Sequence, residues 1–238
     1  MYLGVIYVLF NSIMTLLRGG NVDPLDILMQ VLATLVIVLL ALPLHEFAHG
    51  WVANKLGDPT ARLAGRLTFN PLASVDPMGA GFLLLFGIGW ARPVPVDSRY
   101  FKNPRSGMAL TALAGPASNL IASFVGALLF YAVIAFAPYN VVVHYILLFI
   151  SYFAYINAVL AVFNLVPIPP LDGSKILASF LSDRARFIFY QYQNILAMVG
   201  MILIVSGALT GPLSMIESAV YGGVSWLASL PFRLFGVL

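Results

Sequence analysis

Apolar runs of membrane-spanning length recur along this chain, separated by short polar connections. A helix rises 1.5 Å per residue, so about 20 apolar residues cross the roughly 30 Å of bilayer hydrocarbon while satisfying their own backbone hydrogen bonds. The runs Tyr2 to Leu17, Ile27 to Ala53, Met108 to Ala137, Val141 to Val166, Phe187 to Leu209 and Pro212 to Leu230 predict about six transmembrane helices. The first is short and has no basic residue before it, so it reads as a retained span and not a signal peptide. The sixth carries Glu217 and Gly222-Gly223, which weaken its apolar character. Met78 to Trp90 is too short to cross and reads as a re-entrant or interfacial segment. It leads into Arg92-Pro93-Val94-Pro95-Val96, whose prolines disfavour helix and suit an edge strand.

The expected fold is therefore an all-α polytopic membrane protein with a small membrane-associated re-entrant β segment, built as one domain over residues 1–238. Composition agrees: 61% of residues are hydrophobic and 9% charged, against about 45–50% and about 25% in soluble domains. The net charge of +3 comes from only 12 Lys and Arg, too few and too scattered for a nucleic-acid surface. Without cysteine there is no disulfide framework and no thiolate metal site.

Basic residues set the orientation. Lys55, Arg62, Arg66, Arg92, Arg99, Lys102 and Arg105 fall between the second span and the Met108 span, and Lys175, Arg184 and Arg186 follow the Val141 span. With both stretches in the cytoplasm, ten of the twelve basic residues lie inside, and a crossing sixth span adds Arg233. The N-terminus is then cytoplasmic too.

The second span ends in His45-Glu46-Phe47-Ala48-His49, the pattern H-E-x-x-H on a helix. Four residues bring His45 and His49 to one helix face, one turn apart, as two imidazoles on one metal ion require. Glu46 lies within reach of a metal-bound water. The pair sits roughly 9 to 15 Å inside Lys55 along the helix, at a depth where ionisable groups are functional candidates. A catalytic zinc ordinarily takes three protein ligands, so one more donor is needed. Most of the acidic residues lie in polar, loop-like stretches. Asp172 is different, because it follows three helix-breaking prolines in Asn164-Leu165-Val166-Pro167-Ile168-Pro169-Pro170-Leu171-Asp172-Gly173, at the cytoplasmic end of its span. It is the candidate third ligand; the alternative is a plain Asp-Gly turn at a helix start.

Both motifs, in this order and at these helix ends, resemble the site-2 protease family of intramembrane zinc metalloproteases. The resemblance runs from about Ile27 to Asp183 and is nearest to the compact prokaryotic members, which have no PDZ or CBS domain. It implies a Zn2+ held by His45, His49 and Asp172, Glu46 as catalytic acid/base, and Asn164 as a residue that holds the substrate or the developing oxyanion. It also implies hydrolysis of peptide bonds in or near transmembrane segments of a membrane-protein substrate, in a bacterial or archaeal cell membrane with the active site toward the cytoplasm. Gly57-Asp58-Pro59-Thr60-Ala61-Arg62, Arg66-Leu67-Thr68-Phe69-Asn70-Pro71 and Gly89-Trp90-Ala91-Arg92-Pro93-Val94-Pro95-Val96 resemble family stretches that form a membrane-associated sheet.

Gly115-Pro116-Ala117-Ser118-Asn119 also matches a family pattern, read here as close helix packing. His144 reads as an interfacial polar residue. Regulation is expected from a partner membrane protein, prior cleavage of the substrate or access between helices. The competing function class is a transporter of metal ions or other small cations using the same His/His/Asp group; a silent scaffold is a third.

Overall fold

Asparagine caps open the two helices that are long and apolar enough to cross a membrane. In the computed structural model, which describes residues 15, 18–86 and 91–237, the Asn103 side chain accepts from the backbone N–H groups of Arg105 and Ser106, and Pro104 occupies the first turn, where no N–H is needed. The Asn140 side chain accepts from the Val143 N–H in the same way. In chain order the helices are α1 (Pro24–Val36), a π-helical turn (Ile37–Ala41), α2 (Leu42–Lys55), α3 (Thr60–Leu63), α4 (Pro71–Ser74) and α5 (Pro77–Phe86). A 3-10 turn (Ser98–Tyr100) then precedes α6 (Pro104–Phe136), α7 (Val141–Asn164), α8 (Asp172–Phe180), α9 (Asp183–Gln191), α10 (Gln193–Val205) and α11 (Thr210–Leu234).

Two described helices, α6 and α7, are long and apolar enough to cross a membrane, and α9 with α10 make a third candidate if that bent pair is one span. The segment expected to span from Ile27 is helical without interruption from Pro24 to Lys55. The span expected from Phe187 bends by 66° between α9 and α10. Its polar Gln191, Gln193 and Asn194 lie at the bend, and α9 has its own start, where the Ser182 hydroxyl accepts from the Ala185 N–H. The Pro212 segment forms α11. The predicted first span falls, apart from Thr15, outside the described residues.

Among the described residues there is no sheet. In place of the expected β segment there is one isolated antiparallel bridge, Val75 to Ala91, and the described part of the segment read as re-entrant or interfacial, Met78 to Phe86, lies in helix α5. Residues 92–97 are irregular, because prolines at 93 and 95 remove two of the N–H groups a ladder would use. This segment is nevertheless tied down. Arg92 N–H donates to Ser74 O at 2.8 Å, Arg66 donates to Arg92 O at 2.7 Å, and Asp97 N–H donates to the Asp58 carboxylate at 2.7 Å. Fully buried Asp58 also accepts from the backbone and hydroxyl of Thr60.

The interior is built from small and polar residues. Along α6 the buried positions include Gly107, Thr111, Gly115, Asn119, Ala122, Ser123 and Gly126, which repeat at one-turn spacing, whereas Leu110, Leu113, Ile121, Phe124 and Leu129 are exposed. A soluble protein reverses this arrangement; helices that meet in lipid use small residues to approach one another. A Cβ on Gly126 would stand 3.0 Å from Ala154 Cβ on α7. Helix α6 packs against α2, α7, α8 and α11, and so joins every element that carries a candidate site residue.

Candidate metal centre

Two helices bring three ligand atoms to a single point, two from α2 and one from α8. Helix α2 carries His45 and His49 on its inner face, with imidazole centroids 4.6 Å apart and planes nearly perpendicular. The irregular turn after Asn164 reverses the chain, and Asp172 opens α8 beneath them. His45 Nε2 and His49 Nε2 are 3.0 Å apart, and each is 3.1 Å from Asp172 Oδ2. The three residues are 5%, 7% and 5% exposed. Asp172 starts α8 and also stands with both imidazoles in a group that could hold a metal ion.

Three Lewis-basic atoms this close need a positive centre among them, a proton or a metal ion. The hydrogen bonds behind the rings favour the metal. His49 Nδ1 lies 2.6 Å from the Thr111 carbonyl, which can only accept, so the ring proton sits on Nδ1 and leaves Nε2 with a free lone pair. His45 Nδ1 lies 2.6 Å from Asn119 Oδ1. Lys175 Nζ donates to Asp172 Oδ1 at 3.1 Å, which leaves Oδ2 for the shared point. Burial pushes the Asp172 carboxyl up, but His45, His49 and Lys175 outweigh it and hold the group below the ordinary carboxylate range. Two nitrogens and one carboxylate oxygen are the donor set of a catalytic zinc with a position left open.

Two glycines make the approach possible. A Cβ on Gly115 would stand 2.4 Å from His49 Nε2 and 2.5 Å from His45 Nε2, and a Cβ on Gly173 would stand 2.1 Å from Leu165 O. The first clears α6 from the metal position; the second lets α8 lie against the turn that delivers Asp172. The packing role read for Gly115 through Asn119 is therefore incomplete, since Gly115 clears the metal position and Asn119 grips a ligand. Asn157 on α7, which the sequence reading passed over, sits behind Asn119. The available signal was two amides buried in apolar helices.

Glu46 is half-buried, and its Oε2 accepts from the Val94 N–H at 2.9 Å. Asn164 is the last residue of α7, and its side-chain amide donates to Leu160 O at 2.9 Å. No hydrogen bond among the described residues joins Asn164 to the His/His/Asp group. His144 is exposed at the opposite end of α7, with Tyr139 as its neighbour.

Comparison with known proteins agrees with this chemistry. The profile of peptidase family M50 matches residues 132–207, a stretch that contains Asp172. Bacillus subtilis YwhC, named "Putative zinc metalloprotease", is 38% identical over 185 residues, covering 77% of this chain and 83% of that protein. Mycobacterium tuberculosis Rip2, named likewise, is 28% identical over 220 residues, covering 90% of this chain and 80% of its own length. No solved structure matches the chain.

Proposed function

The chain belongs to peptidase family M50 and is a zinc metalloprotease, and from that premise we propose that it cuts peptide bonds in or near the transmembrane segments of membrane-protein substrates. The observation that carries this reading is the His45, His49 and Asp172 cluster, buried among apolar helices with Glu46 one residue away on α2. Bound zinc would supply Lewis acidity, lowering the pKa of water and polarising the scissile carbonyl. Glu46 accepts a proton from the attacking water and returns it to the leaving nitrogen as the C–N bond breaks, giving a carboxylate and an amine. Asn164 has one amide hydrogen on Leu160 O and a second to offer a developing oxyanion.

A helical substrate has its carbonyls engaged internally, so the cut segment unwinds locally; residues of poor helix propensity near the bond favour this. Residues 92–97, tethered beside Glu46, line the approach by which an unwound segment can reach the acid/base. This is the function we assign to segment 92–97.

We further read six spans, with both polar loops and the metal site toward the cytoplasm of a bacterial or archaeal cell. Support comes from the distribution of Lys and Arg. A regulatory membrane partner belongs to this reading, because access to a buried site needs control. Membership of a peptidase family favours hydrolysis over cation transport by the same residues.

The test compares membrane-protein fragments in cells carrying the wild-type chain and cells carrying Glu46→Gln. Uncut substrates accumulate only with the variant, which retains zinc. Matching profiles under several stresses would overturn the reading.

A further inference from the structure

We propose that Asn157 and Asn119 form a two-amide relay that fixes the proton of His45 on Nδ1 and keeps its Nε2 lone pair aimed at the metal position. The argument begins at a group whose role is unambiguous. The Phe153 carbonyl on α7 can only accept, and Asn157 Nδ2 lies 2.9 Å from it, so this end of the Asn157 amide is the NH2. Asn157 Oδ1 therefore faces Asn119, whose Nδ2 lies at 3.0 Å and donates. Asn119 Oδ1 is left toward His45 Nδ1 at 2.6 Å, and it accepts. His45 must then carry its hydrogen on Nδ1.

Asn119 and Asn157 are both 0% exposed, so water offers no other partner that would let either amide flip. The relay crosses three helices, from α7 through α6 to α2. Its logic matches the direct bond from His49 to Thr111 O. In both cases a backbone carbonyl decides which ring nitrogen is free, and for His45 two amides carry that decision across the width of α6. Outer partners of this kind orient metal-bound imidazoles and raise their basicity. Both asparagines are positioning residues; neither faces the substrate.

The inference rests on the zinc-site reading above, and its test reads metal binding, not proteolysis. Zinc affinity is measured by chelator competition on the detergent-solubilised chain for wild type, Asn119→Leu, Asn157→Leu and the double variant. Asn119→Leu lowers affinity about 10- to 100-fold, and Asn157→Leu lowers it less, because Asn119 Oδ1 still faces His45 Nδ1 and accepts from it, although its amide is no longer held against turning. The double variant binds no more weakly than Asn119→Leu alone, since the second residue acts only through the first. Independent packing roles would instead give additive losses, which overturns the relay, as do single variants within twofold of wild type.

Nitrogen-15 spectra of the zinc-loaded wild type give a second readout that requires no variant to fold. With three histidines in the chain, His45 is assignable, and its proton is expected on Nδ1; a proton on Nε2 overturns the proposal. A wild-type chain that binds no zinc sinks the site reading itself, a different failure.

Discussion

Glu46 Oε2 lies 2.9 Å from the backbone nitrogen of Val94, so the proposed acid/base is held by the main chain of the tethered segment 92–97. The bond needs the Val94 N–H and is indifferent to its side chain. Val94→Pro, which removes the donor between two existing prolines, is expected to lower kcat about tenfold or more while zinc content stays unchanged. Val94→Ala retains the donor and should keep near-normal turnover. Equal activity in the two variants would show that Glu46 does not depend on this bond.

Gly115→Ala tests the space in front of the imidazoles. Its methyl group would arrive 2.4 to 2.5 Å from three imidazole atoms, while intrinsic helix propensity improves by about 1 kcal/mol. Zinc affinity should fall at least 100-fold without loss of helical content. Chelator competition and circular dichroism on the same sample separate these effects.

Asp172→Ala removes the carboxylate between the two histidines. Zinc occupancy should collapse, and the rise in Tm that added zinc gives the wild type should vanish, because a ligand stabilises only the state that binds it. A zinc-dependent Tm shift in the variant as large as in the wild type would assign the third ligand elsewhere.

Asn164→Ala is expected to separate binding from turnover. If its free amide hydrogen meets the developing oxyanion, kcat falls about 100- to 1,000-fold with zinc affinity intact. A parallel loss of zinc would place Asn164 instead among the residues that shape the turn before Asp172.

The features legible in the sequence are those fixed by local spacing. His45 and His49 share a face because four residues make one turn, and α6 and α7 end within a few residues of their predicted limits because Asn103, Asn140 and the prolines after Asn164 are local signals. The contact of Asp172 with the histidines could be suspected from the motif order, although 127 residues separate it from His45. Asn119 and Asn157 escaped because an amide in an apolar helix has the same appearance whether it packs or holds a ligand. Only the relative rotation of α6 and α7 decides between those roles. The break at Tyr192 was hidden for a related reason: no proline or glycine marks it, and Gln191, Gln193 and Asn194 look the same in a bend as in a polar patch within a straight span.

The small-residue stripe of α6 inverts the usual map of mutational tolerance. In a soluble enzyme, trimming a large core residue does the damage. Here Leu110, Ile121 and Phe124 face outward and can exchange with other lipid-soluble side chains, whereas one added methyl group strikes the Phe101 ring at Gly107, the two imidazoles of α2 at Gly115 and helix α7 at Gly126. Because Gly115 lies on the same stripe as Gly107 and Gly126, a wedge far from the metal can still be felt there. Loss-of-function variants in this chain should therefore be dominated by gains of volume.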